Sequence, residues 1–535
     1  MGFVEAMAMA TASATLALLL GAAWVTLSCY LLTPMRIRRA MAAQGVHGPP
    51  PRPLVGNLRE VSALVAEATA GDMPSLSHDI VGRLMPHYVL WSRTYGKLFV
   101  YWYGSEPRLC LTDTGMIKEF LSSKYAHATG KSWLQRQGTK HFIGRGLLMA
   151  NGARWSHQRH VVAPAFMPDK LKGRVGHMVE CTKQTMVSLR DAAARGRGEV
   201  EIGAHMTRLA GDIISRTEFD TSYETGKRIF HLLEDLQRLT ARSGRYLWIP
   251  GSQYFPSKYR REIGRLNGEL ECVVMESIRR SGEIADEGRT TSTYGRGLLA
   301  MLLAEMEKKK EKAGSTADDG KFSYDTRLVI DECKTFFFAG HETSALLLTW
   351  TLMLLATHPE WQDKARAEVA TVCGDQPPSA DHLPKLTVLQ MIIHETLRLY
   401  PPATLLPRMA FEDMTLGEGR LRLPRGLSVW IPVLAIHHDE FIWGADAHEF
   451  RPERFAPGAR RGSSSSGAAR FLPFAAGPRN CVGQTYALFE AKVVLAMLLA
   501  EFRFAISDDY RHAPVNVLTL RPKHGVPVHL RPLRP

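Results

Sequence analysis

Residues 474–483 read FAAGPRNCVG. Pro478 lacks an amide hydrogen and interrupts regular helix just before Cys481, and Gly477 and Gly483 bracket the cysteine. A tight loop of this kind can turn backbone N–H groups toward the sulfur. A helix starting just after it adds the positive end of a helix dipole, and both features favour a thiolate. Taken alone, a cysteine in a Gly-rich turn is more often structural. The full spacing Phe474-x-x-Gly477-x-Arg479-x-Cys481-x-Gly483 makes this one a chemical candidate.

The other six cysteines (Cys29, Cys110, Cys181, Cys272, Cys333 and Cys373) are scattered, and a total of 7 is odd. That pattern argues against a disulfide framework and fits a cytosol-facing body. Hydrophobic residues make up 45% and charged residues 22% of the 535, which is ordinary globular composition and excludes a disordered chain. No internal repeat or strong linker follows residue 55, so one large domain is expected. The net charge of +14 suits an anionic membrane face or an acidic protein partner. A nucleic acid polymer is disfavoured, because zinc-finger spacing, RNA-binding motifs and a dense basic helix are all missing.

From Ala6 to Pro34 there is no charged residue, and about 20 apolar residues suffice to cross a bilayer as a helix. Arg36, Arg38 and Arg39 follow, while Glu5 alone precedes, which places the C-terminal side in the cytosol. A cleaved secretory signal would carry its basic residues on the other side. The division expected is an anchor at 1–34, a basic, Pro-rich hinge at 35–55 containing GPPPRP, and a catalytic domain at 56–535.

Within that domain, 97–104 and 107–113 read as strands, and 172–192, 201–218, 224–242 and 259–280 carry helical apolar spacing. The polar run 305–321 reads as a solvated loop, and RGSSSSGA at 461–468 as a flexible surface insertion. A long apolar helix is expected from about Thr326 to Ala356, with Asp331, Glu332, Lys334, His341 and Glu342 excluding it as a membrane span. Short β pieces return near 419–432 and 515–530. The aromatic stretch WIPGSQYFPSKYR at 248–260 has the composition of a segment that dips into a membrane interface. The fold class is mainly α with minor β.

Several further patterns carry polar chemistry. In AGHETS at 339–344, Gly340 permits close backbone approach to a flat group. Glu342 and Thr343 there offer a carboxylate and a hydroxyl for proton transfer. The competing reading is that a helical threonine bonds back to its own chain. Glu395 and Arg398 in HETLRLYPP are one helical turn apart, and Arg454 in RPERF can join them. Trp155 and Arg159, four residues apart, present two N–H donors that suit a carboxylate. Gly144-Arg145-Gly146 lacks the remainder of a phosphate loop, and His341-Glu342 is no zinc motif because position 345 is Ala. His437-His438 reads as a packed feature of its loop.

These motifs, in this order, closely resemble those of the cytochrome P450 family, and the likeness runs from the anchor to residue 531. The resemblance implies a triangular, mainly helical domain around a buried haem b, behind one N-terminal transmembrane helix. Cys481 would be the axial ligand, since thiolate ligation pushes electron density toward bound oxygen and favours O–O cleavage. Phe474, Gly477 and Gly483 would shape its loop. Trp155, Arg159, Arg408 and Arg479 would hold the propionates, Gly340 would lie near the ring, and Thr343 with Glu342 would deliver protons to dioxygen. Glu395, Arg398 and Arg454 would form a buried network supporting the haem loop. Electrons from NADPH would arrive through NADPH-cytochrome P450 reductase, with cytochrome b5 as an optional second donor. The implied location is the endoplasmic reticulum membrane, single-pass, with the catalytic domain in the cytosol.

For the substrate, Phe337, Phe338, Ala339, Ala403 and Leu405 are candidates to line an apolar pocket. The stretches 77–97, 131–155, 331–350, 399–417 and 510–526 resemble plant cytokinin hydroxylases. Those enzymes hydroxylate the trans methyl of the prenyl chain on isopentenyladenine nucleotides, giving trans-zeatin forms. Lys131, Arg136, Lys140 and Arg145 lie in a stretch where one or more can pair with a substrate phosphate or with a haem propionate. The alternatives are oxidation of another plant hormone or terpenoid, such as a gibberellin or brassinosteroid, a hydroperoxide-rearranging haem-thiolate isomerase or dehydratase, and a non-catalytic haem sensor. The Ala-Gly-x-x-Thr pattern argues against the isomerase, and Thr343 together with Glu342 against the sensor.

Overall fold

The computed structural model describes residues 2–195, 198–219, 221, 223–243, 258–286, 297–312, 324–458 and 469–533. The N-terminal apolar run forms α1 (Gly2–Leu27), which passes through a π turn at Ser28–Leu32 into α2 (Thr33–Ala42). Among the described residues, Met9–Ala42 is the one stretch of helix long and apolar enough to cross a membrane. Pro34 falls in the first turn of α2, and its ring does not end the helical run. Residues 35–42 of the expected hinge are therefore helical, and they are docked. Ile37 and Met41, four apart on one face, are buried in a cluster with Val100, Leu109 and Leu427. Arg36 donates to the Arg425 carbonyl and Gln44 to the Arg422 carbonyl, each at 3.0 Å. The proline-rich stretch then runs without helix to isolated bridges at Arg52–Gly56 and Gly56–Tyr103.

Strands β1 (Phe99–Tyr103), β2 (Glu106–Cys110) and β3 (Thr129–Gly130) precede the helical body, and β4 (Glu199–Glu201) lies within it. After it come β5 (Leu406–Ala410), β6 (Met414–Leu416), β7 (Leu421–Leu423), β8 (Ser428–Ile431), β9 (Phe502–Ile506), β10 (Pro514–Val517), β11 (Thr519–Pro522) and β12 (Pro527–Pro532). The largest sheet has the order β1-β2-β8-β5-β3; the smaller ones are β4-β12-β9, β6-β7 and β10-β11.

The helices that position the site are α3 (Gly152–Val162), α4 (Val175–Arg195), α5 (Ile202–Glu218), α6 (Tyr223–Ser243), α7 (Lys258–Asp286), α8 (Leu298–Lys312), α9 (Thr326–Thr357), α10 (Thr387–Leu399) and α11 (Gln484–Glu501). The polar run departs from expectation. Its first part, to Lys312, continues α8, because Leu303 and Met306 pack on the core and Glu and Lys are good helix formers. The rest of that run, the Ser-rich stretch 461–468 and residues 248–257 of the aromatic stretch lie outside the described residues.

Helix α9 is capped by Asp325, whose side chain accepts from the Leu328 amide at 2.6 Å. Its charged residues moor neighbours rather than facing water. Asp331 accepts from Arg145 at 3.0 Å, Glu332 from the Leu147 amide at 2.9 Å, and Lys334 donates to Asn267 at 2.8 Å and Glu271 at 3.2 Å. Farther along, Trp350 is fully buried, stacks on Tyr400 at 4.4 Å and donates to the Leu520 carbonyl at 3.0 Å.

Removing residues 2–32 is expected to release the body from membranes with its thermal stability kept. Extending the deletion through Ala42 removes Ile37 and Met41, at about 1.5–3 kcal/mol for each buried side chain. A thermal melt should show the second form clearly less stable, and equal Tm values would refute the docking of α2.

Candidate active site

The cysteine loop is a closed set of short backbone bonds. The Cys481 amide donates to the Phe474 carbonyl at 2.9 Å, Asn480 to Gly477 at 3.0 Å, and Ala475 to Leu472 at 3.1 Å. Gly477 has φ +71°, and a Cβ there would strike the Leu121 carbonyl, so this position requires glycine. Ala475 is also left-handed, at φ 59°, which is sterically unfavourable for a residue with a side chain. Gly483 caps α11, which begins just beyond the cysteine. The Cys481 side chain is accessible yet ringed by protein atoms, as expected of a group lining an internal cleft. Burial pushes its thiol up, while the Gly483 N–H and the Arg159 guanidinium pull it back toward thiolate.

Helix α3 brings Trp155 and Arg159 to this loop, but with different partners from those expected. Arg159 grips Asn480, donating to its carbonyl and to its side-chain oxygen, both at 2.8 Å. Its fork therefore fixes the residue before the cysteine. The ring of Trp155 carries the Arg479 guanidinium 4.2 Å from its centroid.

Three cations meet nearby. Arg479 donates to the Ala126 and Ala150 carbonyls at 3.0 and 3.1 Å, and its Nη2 is buried without a partner. Arg408, on β5, reaches only the adjacent Pro407 carbonyl at 3.1 Å, and its Nε is likewise buried and unpartnered. Burial holds Arg408 down to about 10; burial, then the charge of Arg408, hold Arg479 at about 9. Burial, with the charges of Arg408 and Arg479, keeps the Lys131 ammonium well below the usual lysine range. Among the described residues no carboxylate forms an ion pair with any of the three. Unpaired buried cations are costly, so this set fits a group that brings carboxylates, as the two propionates of haem do.

Consecutive residues on a helix point about 100° apart, and this separates Glu342 from Thr343. Thr343 donates to the Ala339 carbonyl at 2.7 Å, bonding back to its own helix. Glu342 accepts from Arg521 Nε at 2.9 Å and from the Thr519 hydroxyl, both on β11. The two thus do not form a shared relay as expected; the acid is tied to the C-terminal hairpin. Gly340 serves the α5–α9 crossing, since a Cβ there would lie 2.7 Å from Ile214. Beside Thr343, Ser344 donates to Glu490 of α11 at 2.7 Å, and burial raises Glu490 to about 8. Sequence reading missed Arg521, Thr519 and Glu490, whose partners lie far away along the chain.

The Glu–Arg–Arg triad is assembled. Glu395 and Arg398 are fully buried and joined by two bonds of 2.7 Å. Arg398 also donates to the carbonyls of His437 (2.8 Å), Ala447 (2.6 Å) and Glu449 (3.1 Å). Arg454 approaches Glu395 at 3.4 Å and donates to the Trp443 carbonyl at 2.9 Å. His437 accepts from the Leu472 amide at 2.9 Å, which links the triad to the root of the cysteine loop.

The expected pocket residues divide. Phe337 stacks on Phe219 at 3.8 Å, buried toward α5, and so belongs to the core. Phe338 meets Phe142 edge-on at 5.5 Å, and Phe338, Ala339, Ala403 and Leu405 are only half-buried. Arg145 points to Asp331 on the outer part of α9 with its side chain 54% exposed, which removes it from a phosphate role. Arg136, in the short helix Trp133–Thr139, and Lys140, just after it, are both exposed.

Arg398→Ala should strip Glu395 of its two shortest bonds, leaving a buried carboxylate with only Arg454 at 3.4 Å and the Arg451 amide, and cost about 3–5 kcal/mol. The expected readout is a lower melting temperature together with reduced haem content. Arg398→Lys should not restore either, because an ammonium cannot reproduce the planar fork.

A family model described as Cytochrome P450 matches residues 71–526. Two Arabidopsis thaliana proteins named cytokinin hydroxylase are 55% and 54% identical to the chain, over 95% and 96% of it and the same shares of their own lengths. Cytochrome P450 734A4 of Oryza sativa subsp. japonica is 38% identical over 98% of both chains. Fold, cysteine loop and relatives together make the chain a member of the cytochrome P450 family, a haem-thiolate monooxygenase that uses dioxygen and electrons supplied by a redox partner.

Proposed function

We propose that this enzyme hydroxylates the trans methyl of the prenyl side chain of isopentenyladenine nucleotides, giving trans-zeatin forms, with NADPH as the electron source. The observation that carries this reading is the full-length similarity to two proteins named cytokinin hydroxylase. It favours this substrate over a gibberellin or a brassinosteroid.

Haem, when bound, supplies the iron chemistry that inserts one oxygen atom of dioxygen into a C–H bond and releases the other as water. The chain's own residues prepare that site. Cys481 would hold the haem iron through its sulfur, with Arg159 and the Gly483 N–H stabilising its negative charge. Arg408, Arg479 and Lys131 would neutralise the propionates, and Trp155 braces Arg479. Thr343 holds its hydroxyl on the Ala339 carbonyl and turns from it to pass a proton to the oxygen site. Glu342, held by Arg521, ties this part of α9 to the C-terminal hairpin. Phe338, Ala339, Ala403 and Leu405 face the apolar prenyl group. The electron donor is NADPH-cytochrome P450 reductase, with cytochrome b5 as a second donor, at the cytosolic face of the endoplasmic reticulum.

Membranes carrying the protein and a reductase, given isopentenyladenosine 5′-monophosphate and NADPH, should form trans-zeatin riboside monophosphate detectable by mass spectrometry. If no product forms while the reduced protein keeps the carbon-monoxide spectrum of a thiolate haem, the substrate assignment fails and the family assignment stands. Thr343→Ala should lower product formed per NADPH consumed by about an order of magnitude or more, with haem content unchanged. Unchanged coupling would remove Thr343 from proton delivery.

A further inference from the structure

Away from the cysteine loop, a group of oxidisable side chains is arranged as a chain. Trp350, fully buried on α9, stacks its indole on Tyr400 at 4.4 Å and 15°, and its N–H is fixed on the Leu520 carbonyl at 3.0 Å. Tyr400, the residue after α10, is also fully buried. Its oxygen faces His78 Nδ1 at 2.7 Å and His512 Nε2 at 3.4 Å. His512 Nε2 donates to the Ser77 carbonyl at 3.0 Å and so carries a hydrogen. The Tyr400 proton is therefore directed to His78 Nδ1, and His512 Nδ1 is left to accept from the Tyr510 hydroxyl at 2.7 Å. The His512 ring thus lies between the two tyrosines, with centroids 6.2 Å from Tyr400 and 5.8 Å from Tyr510. Tyr510 is only half-buried, so the chain ends at the protein surface.

The chain starts beside the segment assigned to oxygen activation. Trp350 stands two helical turns after Thr343, so both side chains leave the same face of α9, about 10 Å apart along its axis. Indoles and phenols can each give up one electron. A buried phenol that did so and kept its proton would be a cation in a low-dielectric interior, which is costly. Here each tyrosine has a base in hydrogen-bond contact. Burial holds His78 down to about 3 and His512 to about 4, so both imidazoles are neutral and open to a proton. Burial also pushes both phenols up, so neither ionises beforehand. A phenol that has lost an electron is a far stronger acid than an imidazolium, so the proton moves in spite of that burial.

We propose that Trp350, Tyr400 and Tyr510 form a relay that drains oxidising equivalents from the haem site when oxygen is activated with no substrate to receive it. One electron passes from Trp350 to the oxidised haem site, which is reduced by one electron, and Tyr400 refills Trp350. The Tyr400 O–H bond breaks and an N–H bond forms on His78 Nδ1, leaving a neutral phenoxyl radical. An electron from Tyr510 restores Tyr400, which takes its proton back from His78, while the Tyr510 proton moves to His512 Nδ1. A water-soluble thiol then gives one electron to Tyr510 at the surface and His512 returns the proton. The thiol leaves as a thiyl radical, its own proton released to water. The relay diverts to a renewable reductant an equivalent that would otherwise attack the haem or the protein around it.

The test mixes full-length, haem-loaded enzyme, free of substrate, with an organic peracid, freezes the mixture within milliseconds and records electron paramagnetic resonance. Wild type should show a tyrosyl radical that a small thiol removes. Tyr400→Phe should lose most of this signal, and its haem absorbance should bleach faster under peracid. Tyr510→Phe should keep a tyrosyl radical, now held at Tyr400 and protected from the thiol. Both changes nearly conserve volume, and the carbon-monoxide spectrum checks that each variant holds its haem. Tyr510 is half-buried, so its variant carries the test should Tyr400→Phe load haem poorly. A wild type without a tyrosyl radical overturns the relay. So does a Tyr510→Phe radical as sensitive to thiol as that of wild type, which would leave these hydrogen bonds a purely structural role.

Discussion

Arg398 has five N–H donors, and all five are used inside the protein. No water reaches the guanidinium, so each bond forgone would leave a desolvated donor. This one side chain fixes the relation between α10, the turn at His437 and the loop at Ala447–Glu449. Glu395 extends the fixture to Arg454 and, at 2.9 Å, to the Arg451 amide. His437 then hands it on to Leu472, two residues before Phe474. The cysteine loop contains a left-handed alanine and a glycine that tolerates no side chain, and it keeps that shape because its base rests on this buried polar scaffold.

What was legible in the sequence was local. Cys481, its flanking glycines and the proline lie within ten residues, and α9 announces itself through a long apolar run. Glu395 and Arg398 are three apart, so their pairing follows from helical geometry alone. The partner of Glu342 was not legible, since Arg521 stands 179 residues away and nothing near either residue names the other. Arg159 shows a subtler limit. It was expected at a propionate, but a guanidinium also donates to carbonyl and amide oxygens, and Asn480 offers both. Phe337 and Phe338 are neighbours in sequence, yet the helical turn sends one into the core and leaves the other at the pocket. The charged residues of α9 gave the opposite difficulty: they exclude a membrane span correctly, but their moorings to Leu147 and Asn267 depend on chain segments that no local pattern relates.

The cations Lys131, Arg408 and Arg479 come from three separate segments, and their shared burial appears only in three dimensions. Their arrangement also bears on stability. Holding like charges together in a low-dielectric site opposes folding, and a dianionic cofactor reverses that opposition. Folding and cofactor acquisition are therefore linked equilibria, and occupancy acts as a stabiliser of the whole body by mass action. Arg479 joins this set to the cysteine loop directly, because it is two residues from Cys481 and rests on Trp155.

The run from α1 through the π turn into α2 is continuous, and α2 is locked to the body by Ile37, Met41 and the Arg36 bond. The anchor is then a keel and not a tether. A transmembrane helix answers a change in bilayer thickness by changing its tilt. With helix and body joined by an unbroken helical run, such a tilt rotates the entire enzyme against the membrane plane. Lipid composition then becomes a determinant of which face of the body lies against the bilayer and which faces water.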